Sequence, residues 1–404
     1  LPKHLDNHSI SHPAKKAMMR TATFRKSLFT LVLVLGAVLA RAQQIKRPLV
    51  SPQLNADNTV TFRLKAPAAT SVKIKGSWMK ENEGAMAMTK TDSIWSFTTS
   101  KLNPDFYRYN FYLESVEVLD PANSYAERAG TRYESIFIVG GPSSLYTVKD
   151  VPHGAISAVW YSSPTLGMNR RMMVYTPPTY QENKTKRYPV LYLLHGAGGD
   201  EYSWIARGPV GAVLDNLIAA GKAKEMIVVV TNGYPEQFAS PNAGPVNPNP
   251  QAGVNNMGDG RFEKSLVNDV MPFIEKRYRV YADKNNRAIV GFSMGGLQTQ
   301  HITNSNPNLA AYIGVMSMGL QDNNRLNNFN KEEYDQQIKA LVKANPKLYW
   351  IGIGKEDFLY SSVVNLRKKY GEAGLKYEYR ETEGGHTWSN WSLYLCELVP
   401  KLFK

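Results

Sequence analysis

Two glycines flanking a serine at residues 291–295 constrain this chain more than any other feature. Arg287-Ala288-Ile289-Val290 is a run of strand formers, Gly291-Phe292-Ser293-Met294-Gly295 follows it, and from Leu297 the pattern turns helical. A strand that bends sharply into a helix around a serine strains the serine backbone. It also brings the residues two before and two after it almost into contact. Glycine alone fits both of those places at no steric cost. The serine hydroxyl is then exposed above the strand end, at a helix N-terminus whose N–H groups can stabilise an oxyanion. A nucleophilic serine is therefore expected at Ser293.

The N-terminus has to be set aside before the fold is read. Arg20, Arg25 and Lys26 form a basic patch, residues 28–39 are apolar, and Ala40-Arg41-Ala42 gives a small-x-small cleavage pattern before Gln43-Gln44. The apolar run is too short to span a bilayer comfortably, so 1–42 reads as a secretory signal peptide preceded by an upstream extension ahead of Met18 or Met19. That stretch carries seven Lys/Arg and one Asp, so its removal takes the net charge from +14 to +8. The remaining charge is spread along the chain, with no basic block that would suggest nucleic acid. Cys396 is the one cysteine. This leaves no disulfide framework and no cysteine-based metal site, and an exported chain of this kind suits a bacterial periplasm or outer surface. No metal or organic cofactor is implied, and no integral membrane segment is expected after cleavage.

At 404 residues, 43% hydrophobic and 20% charged, the chain has the balance of a soluble globular protein and length for two domains. From residue 50 to 141 short segments alternate polar and apolar, as in Thr59-Val60-Thr61-Phe62-Arg63-Leu64 and Tyr107-Arg108-Tyr109-Asn110-Phe111, with turn signals between them. This predicts a β-sandwich over 43–141. Trp78, Trp95, Tyr107 and Tyr109 offer either a sugar-stacking platform or, more commonly for such aromatics, a sandwich core. A linker is expected at 142–150. From Val151 onward buried apolar strands alternate with helical patterns, which predicts a mostly parallel sheet with helices on both faces over 151–404. Pro272 should kink the helix built on Phe262, Leu266, Val270, Phe273 and Ile274.

A serine nucleophile on such a sheet takes a base and an acid that follow it in the chain. Of the four histidines after the leader, His153, His195, His301 and His386, only His386 lies in a late loop after a strand, in Gly384-Gly385-His386-Thr387-Trp388. The acid is expected in Gly354-Lys355-Glu356-Asp357, with Asp357 preferred over Glu356 because it is placed deeper in the loop. His195-Gly196-Ala197-Gly198-Gly199 follows a buried strand and exposes backbone N–H groups. One oxyanion donor is expected from Ala197 there and the other from Met294, both through the backbone. The same turn is not a phosphate loop, since G-x-x-x-x-G-K-[ST] is absent. Trp204, Tyr234, Phe238 and Trp388 are expected on loops around Ser293, as an aromatic pocket for an acyl group.

At these residues the chain resembles a known family. Tyr175-Thr176-Pro177-Pro178, Leu193-Leu194-His195-Gly196, Asp283-Lys284-Asn285-Asn286-Arg287 with the serine turn, Gly352-Ile353-Gly354-Lys355-Glu356-Asp357 and Gly385-His386-Thr387-Trp388 are similar to the secreted carbohydrate esterases that include feruloyl and acetylxylan esterases. The leading segment resembles early-set immunoglobulin-like modules found beside glycan-active enzymes. The resemblance implies an α/β-hydrolase fold behind an all-β module. It also implies hydrolysis of ester substituents on plant cell-wall polysaccharides by an acyl-enzyme route, with feruloyl the expected acyl group. Acetylxylan esterase, siderophore esterase and peptidase are the alternatives on the same fold, and a glycan-binding protein with an inactive hydrolase domain is the alternative from another class. The Pro- and Asn-rich insert at 234–260 departs from the family pattern.

Overall fold

The computed structural model describes residues 48–80, 83–129, 132–140, 144–237, 259–320 and 330–404. The expected leader at 1–42, Phe238 and most of the insert at 234–260 lie outside them. Between Gln53 and Val139 the alternating segments form two antiparallel sheets. One contains Val60–Lys65 and Ile94–Thr98, and the other is built on Val72–Gly76, Asp105–Leu113 and Arg132–Val139. Period-two alternation sends Phe62, Leu64 and Trp95 of the first sheet against Ile74, Tyr107, Tyr109 and Phe111 of the second, and this closes a sandwich core. Three of the four aromatics considered for a sugar platform are thus buried, and Trp78 stacks on Phe62 at 5.2 Å between ring centroids. Their polar tips are satisfied inside the module. Trp95 Nε1 donates to Ala66 O at 3.0 Å and Tyr109 Oη to Asp120 Oδ2 at 2.7 Å.

The residues that alternate with this core point the other way. Arg108 and Asn110 of the long strand and Glu127 are polar, yet all are buried. The physical reason is that this face of the second sheet lies against the α/β layer rather than against water. Glu127 bridges Arg108, at 3.1 Å, and Arg207 from the α/β layer, at 2.6 Å, while Arg207 also reaches Glu134 at 2.6 Å. Burial pushes the Arg108 guanidinium down to about 10 and raises the Glu127 carboxyl, with the opposite charges working against both shifts.

The α/β layer is an eight-stranded sheet in the order Ala155–Ser163, Met168–Thr176, Ile227–Thr231, Val190–Leu194, Arg287–Phe292, Tyr312–Met316, Leu348–Gly354, Glu378–Thr382. Its first two strands run antiparallel and the remaining six are parallel to one another. Val190–Leu194 shows why helices must cover both faces: all five residues are buried, Leu191 and Leu193 toward one core and Val190, Tyr192 and Leu194 toward the other. The kink expected at Pro272 takes the form of a π-turn. Arg261–Ser265 is α-helical, Leu266–Val270 is π, and Met271–Arg277 resumes the α-helix. Proline has no N–H for the carbonyl four residues back, and the wider turn absorbs that missing bond.

Val50–Lys404 form one compact unit. The described part of the expected linker is held rather than loose, because Asn216 Nδ2 donates to the carbonyls of Leu145 and Thr147 at 3.0 and 2.9 Å. Among the described residues no helix is long and apolar enough to cross a membrane. The contact between sandwich and sheet depends on Glu127, whose loss would leave the buried Arg108 guanidinium without its carboxylate and Arg207 with Glu134 alone. Glu127→Ala is expected to destabilise the protein by about 3–5 kcal/mol, read as a lower urea midpoint. A midpoint unchanged from wild type would mean that hydration, with Glu134 on Arg207, serves the two arginines as well as Glu127 does.

Candidate active site

Three parallel strands deliver the reactive groups to one edge of the sheet. Arg287–Phe292 ends at Ser293, Leu348–Gly354 leads to Asp357, and Glu378–Thr382 leads to His386. Ser293 has φ +53° and ψ −123°, a strained conformation for a residue with a side chain. Ser293 N–H donates to Met316 O at 2.9 Å and its carbonyl accepts from Leu297 N at 3.0 Å, so the bend is fixed on both sides. A Cβ on Gly291 would stand 2.3 Å from Gly295 O, and one on Gly295 would stand 2.7 Å from His195 O. The G-x-S-x-G pattern is therefore a requirement of backbone packing, and its second glycine also seats the serine turn on the turn at 195–199.

His386 Nε2 lies 2.9 Å from Ser293 Oγ, and His386 Nδ1 lies 2.9 and 3.1 Å from the two oxygens of Asp357. The Asp357 side chain is fully buried, and one oxygen also accepts from Leu359 N–H at 2.9 Å. Glu356 is exposed, and its backbone N–H donates to Gly384 O at 3.1 Å. Of the four histidines, His386 alone meets Ser293. His153 pairs with Asp215 at 3.0 Å and His301 with Glu263 at 3.3 Å.

His195 is buried behind the 195–199 turn. Its Nε2 accepts Gly233 N–H at 2.8 Å, so the proton is on Nδ1, which donates to Gly196 O at 2.7 Å. Burial pushes this imidazole down to about 4, which keeps it neutral. Gln298 Nε2, donating to Gly233 O at 2.9 Å, holds the same segment from the helix after Ser293. In front of this brace Ala197 is exposed. Met294 opens the helix Met294–Ser305, where the first N–H groups have no partner within the helix.

The aromatic residues expected around the serine divide. Trp204 is 0% exposed and donates from Nε1 to Leu194 O at 3.0 Å, so it supports the turn from inside the core and does not face a ligand. Tyr234 props the same turn, its hydroxyl accepting Gly198 N–H at 2.7 Å. Trp388 lines the cleft beside Ser293, under the guanidinium groups of Arg108 and Arg207 at 5.8 and 5.5 Å from its ring. Phe238 falls outside the described residues. Trp391 and Phe358 also line the cleft and were not anticipated. Phe358 is 74% exposed with its ring 4.6 Å from the His386 ring, and Trp391 meets that ring edge-on at 5.0 Å. Asn390 was missed as well. It donates to Gly385 O at 3.0 Å and accepts from Thr382 Oγ1 at 3.1 Å, which clamps the histidine loop. Phe358 carried a usable signal, an apolar residue next to the expected acid; Asn390 carried none.

With this geometry in place, comparison with known proteins gives the following. The family described as putative esterase matches residues 163–402. An endo-1,4-beta-xylanase/feruloyl esterase of Xylanibacter ruminicola is 32% identical over 363 residues, 87% of this chain and 46% of the relative. This chain thus spans about half the length of that relative. A ferulic acid esterase of known structure is 26% identical, with 62% of this chain and 99% of that chain covered and a TM-score of 0.52. An enterobactin esterase from Shigella flexneri covers more, 85% of this chain and 93% of that chain at a TM-score of 0.62, but at 15% identity this is likeness of fold alone.

The neutral state of His195 has a cost in acid. Unfolding lets its imidazole take a proton near the ordinary value of 6.5, whereas the folded site resists until about 4. The resulting stability is complete above the unfolded value and is lost as pH falls through that window, by up to about 3 kcal/mol. His195→Asn, whose amide can still donate to Gly196 O, should start less stable at pH 7 and decline less steeply from pH 6.5 to 4. Parallel curves of melting temperature against pH would refute this.

Proposed function

The chain belongs to the putative esterase family, and on that premise we propose that it is an exported serine esterase releasing hydroxycinnamoyl groups, feruloyl above all, from plant cell-wall saccharides. The observation that carries the chemistry is the hydrogen-bonded line from Ser293 Oγ through His386 to Asp357. Ser293 attacks the ester carbonyl while His386 Nε2 takes its proton. The N–H groups of Ala197 and Met294 receive the oxyanion. Collapse expels the alcohol, which takes the proton back from His386 and leaves an acyl-serine. Water, activated by the same imidazole, then releases the acid and restores Ser293. Asp357 accepts Nδ1–H throughout, so that the correct tautomer faces the serine and the imidazolium is stabilised.

The acyl preference is supported by two observations. The relative that is similar over most of the chain carries feruloyl esterase in its name. Aromatic rings line the cleft beside the serine in a set that differs in part from the expected one: the expected Trp388 is joined by Phe358 and Trp391, while Trp204 and Tyr234 brace the neighbouring turn. A good aromatic pair adds about 0.5–1.5 kcal/mol beyond area burial, from which an acetyl group gains nothing. In this reading residues 43–141 are an early-set immunoglobulin-like module, 151–404 are the esterase domain, and the leader at 1–42 directs export.

Ser293→Ala and His386→Ala are each expected to lower kcat by roughly 10⁴-fold or more with folding intact, and the double variant to be hardly worse than either. Multiplicative losses in the double variant would mean that one of the two is misassigned. A fluorophosphonate probe should label wild type and not Ser293→Ala, which also separates an enzyme from an inactive glycan binder. Asp357→Asn should cost on the order of 10³–10⁴ in kcat and Glu356→Gln little; the reverse ranking would move the acid to Glu356. For the substrate, kcat/KM for feruloyl-arabinose should exceed that for acetylated xylan, and amides should not be cut. Equal rates on acetylated xylan without release of ferulate would remove the aromatic acyl pocket and leave the esterase.

A further inference from the structure

The cleft that holds Ser293 and His386 is not made by the α/β layer alone. It has a volume of about 720 Å³, and its opposite wall comes from the β-sandwich, where Lys75, Met79, Lys80 and Tyr112 line it together with Asn110 and Arg108. Lys75, Arg108, Asn110 and Tyr112 share a face by register, and Met79 and Lys80 follow in the turn after the strand of Lys75. Lys75 pairs with Asn110 across neighbouring strands, while Tyr109 and Phe111, which alternate with Arg108, Asn110 and Tyr112, fill the sandwich core.

The wall stands on a particular side of the chemistry. His386 Nε2 must hand its proton to the departing alcohol, so the leaving group occupies the His386 side of the serine. The sandwich meets the α/β layer at that same loop, through Arg108 over the ring of Trp388, two residues after His386. Most polar groups of the wall are already engaged. Asn110 donates to Glu117 Oε1 at 2.7 Å and to Tyr133 O at 3.1 Å, and Glu134 is paired with Arg207 at 2.6 Å. The ammonium groups of Lys75 and Lys80 make no hydrogen bond or ion pair among the described residues, and of the two Lys75 is only partly exposed. A charged donor beside a tyrosine ring and a thioether is the mix that a saccharide uses, hydroxyls accepting from the donor and C–H faces lying on the ring.

We propose that the β-sandwich supplies the leaving-group subsite of the active site, where Lys75 and Tyr112 receive the saccharide that carries the ester. This rests on the esterase reading above and extends it. The module serves as half of the catalytic cleft, which differs from a binding domain that tethers the enzyme to a distant stretch of polymer.

The test separates the two readings. The ratio of kcat/KM on a feruloylated arabinoxylo-oligosaccharide to that on methyl ferulate is measured for wild type, Lys75→Ala and Lys73→Ala. Lys73 is two residues along the same strand and outside the cleft lining. Lys75→Ala should lower the ratio about tenfold, through KM, the loss expected for one hydrogen bond from a charged donor. Lys73→Ala should leave it where it is. In a second assay, unesterified xylo-oligosaccharide should compete with 4-nitrophenyl acetate in wild type, with a higher inhibition constant in Lys75→Ala. This assay decides the subsite even if no ferulate is released from any substrate, an outcome that would sink the feruloyl reading instead. A ratio unchanged in Lys75→Ala, or no competition by the saccharide in wild type, overturns the proposal.

Discussion

The site depends on a contact between two pieces of backbone. Gly295, just past the serine, lies so close to the carbonyls of Leu194 and His195 that a Cβ there would stand 2.8 and 2.7 Å from them. That approach puts the turn after one strand and the turn after its neighbour into a single unit, with Met294 N–H on one side and Ala197 N–H on the other. A left-handed serine costs roughly 1–3 kcal/mol. The surroundings hold it through Ser293 N–H to Met316 O and the stacking of Phe292 on Trp391 at 3.9 Å. Behind the turn, His195, Gln298 and Gly233 form a dry brace in which every bond runs to a fixed backbone group. As the proposed oxyanion donors, N–H groups arranged in this way need no reorganisation when charge develops, which is where such sites gain most.

Burial places the other groups in their roles. Asp357 is enclosed and bonded to its own loop, so it faces His386 with a fixed geometry, while the neighbouring Glu356 is in water and screened. The histidine loop is in turn clamped by Asn390 and walled by Trp391 and Trp388. Trp388 joins this loop to the rest of the protein, with Arg108 from the sandwich and Arg207 from the α/β layer both over its ring. The buried Arg108–Glu127–Arg207 group that ties the two layers together therefore also borders the catalytic cleft. Buried ion groups add little net stability but penalise any arrangement that separates their members, and here the penalty falls on moving the sandwich away from His386.

Much of this was legible in the chain because local sterics and periodicity dictated it. Close approach at Gly291 and Gly295 allows no other residue. Continuous apolar strands require two covered faces, and among four histidines only one follows a late strand in a glycine-rich loop. Alternation in the first segment likewise fixed which residues face the sandwich core. What stayed hidden depends on residues far apart in sequence. The face carrying Arg108, Asn110 and Glu127 reads as an ordinary solvent-facing polar face, and only its docking on the α/β layer turns it into a buried ion group and one wall of the cleft. Trp204 left the expected pocket, and Phe358 entered it, for the same reason. Both flank catalytic segments, but three-dimensional packing put one against Leu194 and Phe292 and left the other over the imidazole. Chain order singled out Ser293, His386 and Asp357, which the fold brings into one hydrogen-bonded line. The tertiary structure decided what surrounds them, because burial is a property of the assembled layers and no single segment contains it.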